Sequence, residues 1–216
     1  VRKDFATNKK SMAYNKFKIQ TLKEQLGVLV QRNYWLPKTF PAFGDDERLL
    51  SSLQEAARIY LGSEKARSEF VVTPILQALY RKNQNKFSIF SGYEFNIDKN
   101  KGLNGFCDFI LASSQDTFIV EAPAFFIVET KKIDIDDNAI AQCGAELYAA
   151  QIFNNQKGKP QKALYGCVTS AYSWGFLKLE NNILTIDPDY VSFNFSNPYQ
   201  VLAVLQWIVG KSLSEE

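Results

Sequence analysis

Histidine is missing from all 216 residues of this chain. Its absence excludes a Ser-His-Asp triad, a histidine-bound zinc centre and a histidine general base, so acid–base chemistry falls to carboxylates and lysines. Cysteine is scarce: Cys107, Cys143 and Cys167 lie in apolar stretches without metal-ligand spacing. An odd number of thiols so placed reads as reduced core residues, and with nothing resembling a signal peptide the expected location is cytoplasmic. Long hydrophobic runs are also lacking. No charge-free apolar segment approaches the roughly 18 residues of a membrane helix, and no membrane contact is expected. Nor is either charge in excess, since 25 Lys/Arg against 23 Asp/Glu leave a net +2, which does not by itself announce a nucleic-acid binder. The distribution is less even. Residues 1–40 carry nine basic and two acidic side chains, the remainder sixteen and twenty-one. A basic arm on a mildly acidic body suits contact with phosphates, and a solvated surface helix accounts for it equally well.

What the chain does contain is organised around residues 105–132. One apolar run reads Gly-Phe-Cys-Asp-Phe-Ile-Leu from Gly105, and a second ends Phe-Phe-Ile-Val-Glu-Thr-Lys-Lys at Lys132. Both are short, rich in aromatic and β-branched residues and bounded by turn residues, which predicts buried strands. Asp108 interrupts the first, and Glu129 and Lys131 end the second, where a purely structural strand would carry Val or Ile. Burying an unpaired carboxylate costs several kcal/mol, so these groups need partners or a cation. Side chains on a strand repeat every second residue, which puts Glu129 and Lys131 on one face about 6.6 Å apart and turns Thr130 to the other. If the two strands are neighbours, Asp108 lies beside Glu129 at about 5 Å, and the carboxylates repel by roughly 3 kcal/mol at an effective dielectric of 20. A divalent cation removes that repulsion, and oxygen ligands select magnesium, manganese or calcium over zinc or copper.

Asp108 followed by Glu129-Thr130-Lys131 resembles the Asp…Glu-x-Lys signature of the PD-(D/E)XK nuclease superfamily. Upstream, Ser-Glu-Phe-Val-Val-Thr-Pro places Glu69 on a helix, like the superfamily's first-motif glutamate. Downstream, Gln142 falls on the helix after the Glu-x-Lys strand, where many members carry a glutamine. The resemblance covers about residues 63–180, and Cys107 stands where the name's proline would be. It implies an α/β, restriction-endonuclease-like αβββαβ core with a central mixed sheet flanked by helices, assigned to residues 63–216, after an N-terminal helical extension over 1–62. The implied activity is metal-dependent hydrolysis of nucleic-acid phosphodiester bonds, with DNA placed ahead of RNA. In that reading Asp108, Glu129 and the Thr130 carbonyl hold one or two Mg2+ ions, with Mn2+ able to substitute. Lys131 orients or activates the attacking water, and Gln142 supports it. Alternatives stay open. The same fold serves proteins that bind nucleic acid or a protein partner without cutting, Glu69 also reads as a surface residue paired with Lys65, and Gln142 as a cap on the sheet backbone. A homodimer is also open.

Along the rest of the chain, apolar spacing predicts a helix over 11–32 and another from Asp45-Asp46 to about Leu61. A third is expected over 63–82, broken or kinked at Pro74 with Thr73 as a second N-cap. Strands are expected at 87–97, 103–113, 117–120, 124–132, 163–170, 174–180 and 183–187, with turns at 98–102 and 113–116. Glu121 reads as a turn residue, because only Glu129 has the lysine two places on. Asp134 to Asp137 supply N-caps for a small-residue helix over 137–156, and Asn197-Pro198 opens a last helix. Tyr172 and Trp174, at a strand junction, suit either base stacking or core packing.

Overall fold

The computed structural model describes residues 13–84, 86–113 and 118–214. Residues 1–12, which hold the first part of the basic arm, lie outside that range, as do residues 114–116 of the expected turn and residue 117 of the expected short strand; residues 118–120 are not a strand. The described chain is a mixed α/β structure around one sheet. Its strands are β1 (Leu29–Arg32), β2 (Ser88–Glu94), β3 (Phe106–Ala112), β4 (Ala124–Thr130), β5 (Ala163–Thr169), β6 (Ser173–Glu180), β7 (Ile183–Ile186) and β8 (Val191–Ser192). They run in the order β1-β7-β6-β5-β4-β3-β2, with β8 paired to β6. The helices are α1 (Ile19–Leu26), α2 (Glu47–Ala56), α3 (Glu64–Arg67), α4 (Thr73–Asn83), α5 (Asp137–Gln156) and α6 (Tyr199–Ser214).

Most neighbours in the sheet are antiparallel, as tight connections require. β4 and β5 are parallel, and α5 is the crossover that a parallel pair needs. The sheet separates two cores. On one side Leu49 and Leu53 of α2, Ile75 and Leu79 of α4 and Leu205 of α6 pack over Phe126 and Val128. On the other, Leu22 and Leu26 of α1 and Ile140 and Leu147 of α5 pack over Ile127 and Val168.

Helix α5 is buried nearly all round, which explains its small residues. A Cβ on Gly144 would lie 2.7 Å from Leu184 Cδ2, and one on Gly166 of β5 would lie 2.8 Å from Cys143 Sγ. These two glycines let the helix sit directly on the sheet. Asp136 caps its start, accepting from the Ala139 amide at 2.8 Å, and Asp137 adds negative charge to the first turn.

Three expectations about the helices are corrected. The helix predicted over 11–32 ends at Leu26, because Gly27 turns into the left-handed region at φ 69° and its amide bonds back to Leu22 and Lys23. Residues 29–32 then form β1, parallel to β7. The second helix stops at Ala56 rather than near Leu61. Pro74 neither breaks its helix nor makes Thr73 an N-cap. Ser68–Val72 form a π-helical turn, with the Thr73 amide bonded to the Ser68 carbonyl five residues back. That wider turn carries the helical path through to the proline, which sits at the start of α4. Among the described residues no helix is long and apolar enough to cross a membrane.

Candidate functional site

The pairing of β3 with β4 puts Phe109 opposite Val128, and one step further along the same register Asp108 faces Glu129. This is the carboxyl end of β4, where Thr130 still pairs with Thr169 of β5 and the Lys131 amide bonds to the Thr169 carbonyl at 2.7 Å. The strand register therefore delivers Asp108, Glu129 and Lys131 to one end of two adjacent strands.

The side chains form a linked set. Lys131 Nζ donates to Glu129 Oε1 at 2.6 Å and to Gln142 Oε1 at 3.0 Å. Gln142 Nε2 donates to Glu129 Oε1 at 2.6 Å and to Glu146 Oε1 at 3.1 Å. The Thr130 amide donates to Asp108 Oδ2 at 2.7 Å. The shared face predicted for Glu129 and Lys131 is thus their ion pair. Gln142 meets Lys131 rather than a sheet backbone group. Glu129 is 2 % exposed and Glu146 is wholly buried, and among the described residues the Oε2 of each has no hydrogen-bond partner.

Burial sets the electrostatics. It pushes Glu129 up to about 8, with the Asp108 charge adding and Lys131 opposing. Glu146 is held well above the usual carboxylate range by burial first and by Glu129 second. Asp108 is raised by burial, moderated by the Thr130 amide and by Lys131. Burial acts to lower Lys131, but Glu129 more than offsets it and the ammonium is raised overall. Lys131 is therefore a persistent cation.

Glu69 is exposed, on the π turn, with its carboxylate 3.6 Å from Lys65. It lines a groove of about 280 Å³ together with Asp108, Glu64, Ser91 and Gly92. Within that groove Glu64 is the helical carboxylate that interacts with the centre. Burial raises its pKa, Lys131 opposes that shift, Asp108 adds to it, and the Lys132 amide also opposes it. In the sequence, Glu64 offers no more than negative charge at a helix start, and Glu146 no more than its place one turn after Gln142. The only signals were position on a helix (Glu64) and the i,i+4 spacing (Glu146). Glu121 precedes β4, at the opposite end of the strand from Lys131. Trp174 is fully buried and its Nε1 donates to the Ala171 carbonyl at 3.1 Å, so it packs the core. Tyr172 is 44 % exposed, with the Arg67 guanidinium 5.2 Å from its ring centre.

Chemically, the set offers three carboxylates of raised pKa, Asp108, Glu129 and Glu146, one oxygen of Glu129 without a partner among the described residues, and a fixed cation beside them. Among the described residues no three His, Cys, Asp or Glu side chains already converge as a metal cluster. Compared with models of known families the chain matches none, and a comparison with curated proteins returns no match either.

Proposed function

We propose that this protein is a metal-dependent nuclease, hydrolysing phosphodiester bonds of nucleic acid with DNA ahead of RNA. The observation that carries the reading is the meeting of Asp108, Glu129 and Lys131 at the carboxyl end of β4, where Glu129 keeps one buried oxygen without a partner among the described residues. An orphaned, buried carboxylate oxygen is the atom at which a proton or a cation relieves the cost of burial. Hard cations take oxygen ligands, and magnesium is commonly held by one or two carboxylates and waters, so Asp108, Glu129 and the Thr130 carbonyl fit Mg2+ or Mn2+. When bound, such an ion supplies a more acidic water and offsets charge on the phosphoryl group. Lys131, kept protonated by Glu129, is suited to orient a water or to meet developing negative charge, rather than to take a proton. Gln142 holds the lysine in place. The order of helix, β2, β3, β4, α5 and β5 supports reading the fold as restriction-endonuclease-like.

A second reading, a nuclease-like fold that binds nucleic acid or a protein partner without cutting, draws on one contact. The 2.6 Å Lys131–Glu129 pair already gives Glu129 a partner without a metal ion. The test is incubation of the protein with single- and double-stranded DNA and RNA in magnesium, manganese or chelator. The proposal predicts metal-dependent cleavage of at least one DNA substrate. Binding without cleavage under every condition would favour the second reading.

A further inference from the structure

Glu146 lies on α5, one turn beyond Gln142, with none of its surface exposed. A carboxyl in that position is costly where an apolar side chain of similar volume would pack. What it does there is accept one hydrogen of the Gln142 amide, at 3.1 Å. The other hydrogen goes to Glu129 Oε1 at 2.6 Å, while Gln142 Oε1 accepts from Lys131 at 3.0 Å. These contacts admit one orientation of the amide, since turned over it would set its NH2 against the ammonium and its oxygen against Glu129 Oε1. Glu129 Oε1 is the acceptor for both Lys131 and Gln142. If the Glu129 carboxylate turned towards a cation, Lys131 would keep Gln142 Oε1 and the Gln142 amide would keep Glu146 Oε1.

We propose that Glu146 is a positioning residue of this site, holding the Gln142 amide from beneath so that its oxygen stays on Lys131 while Glu129 serves the reaction. The proposal rests on the nuclease reading. Glu146→Gln keeps an acceptor in the same place, and Glu146→Leu removes it with little change in volume. Three readouts separate positioning from bulk stability: the site-resolved acetylation rate of Lys131 by mass spectrometry, kcat and KM for DNA cleavage, and the melting temperature.

For Glu146→Leu the expected result is faster labelling of Lys131, a kcat lower by roughly ten- to a hundred-fold with KM unchanged, and no loss of melting temperature, because a buried carboxyl has been removed. Glu146→Gln should stay close to wild type in all three. A folded leucine variant with wild-type labelling and wild-type kcat overturns the proposal. If the leucine variant does not fold, Glu146→Met is judged by the same readouts, and collapse of both shows a merely structural carboxyl and also overturns it. A wild type that cuts nothing defeats the proposed function, while Lys131 labelling still decides the positioning claim.

Discussion

Lys131 and Lys132 are adjacent in sequence but differ in surroundings. The Lys131 side chain is 22 % exposed and bound to Glu129 and Gln142, whereas Lys132 is exposed. Lys131→Ala should therefore abolish cleavage without unfolding the protein, and Lys132→Ala should leave kcat/KM within about a few-fold of wild type. Equal losses in the two variants would contradict the assignment. Glu129 supplies a pH dependence. Its carboxyl rises from 4.5 to about 8 on folding, so the folded state favours the protonated form. That contribution to stability is complete below the unfolded value and is lost as pH climbs through the folded one. Without metal the protein should lose stability across that window, by on the order of 5 kcal/mol at most, and Glu129→Gln should flatten the loss. Manganese displaces the proton, so its stabilising effect should grow with pH over the same window. Melting temperatures in chelator that are level from about pH 5 to about pH 9 would contradict this. At this scale the sequence was legible where charge interrupts an apolar run, as at Asp108, Glu129 and Lys131. It was opaque at Glu64 and Glu146, whose contacts depend on how α3 docks over the groove and how α5 docks on the sheet.

Among the elements, α5 was readable to the residue because aspartates cap its start and small residues fill it. β4 and β5 were legible as apolar runs. β1 was not, since Leu29 to Arg32 continue the apolar spacing of α1 and only the conformation of Gly27 ends the helix. The π turn was hidden as well, because a proline signals interruption and not which wider hydrogen-bond pattern will lead into it. The docking of α5 is what brings Gln142 to Glu129, and it depends on Gly166. A Cβ there would lie 2.8 Å from Cys143 Sγ and 2.9 Å from Leu147 Cδ1. Gly166→Ala should cost about 1–3 kcal/mol in urea denaturation, with cleavage reduced as the helix lifts from the sheet. An unchanged midpoint would show that the helix has room to spare.

For the whole molecule, charge is segregated, with nine basic and two acidic residues in the first forty and an acidic excess beyond. Deleting residues 1–10 should weaken nucleic-acid binding and flatten its salt dependence, because fewer counterions are released. An unchanged slope of log affinity against log salt would mark the arm as merely solvated. The central claim, however, is that Asp108 and Glu129 together hold a divalent cation, and one thermal melting experiment addresses it directly. Asp108→Asn keeps an acceptor for the Thr130 amide but removes the charge that helps to raise Glu129. In chelator the variant should melt higher than wild type. In manganese the wild type should gain about 2.7 kcal/mol at a hundred times the dissociation constant, and the variant should gain little. A variant that melts lower in chelator, together with a wild type indifferent to manganese, would contradict the metal site and with it the nuclease.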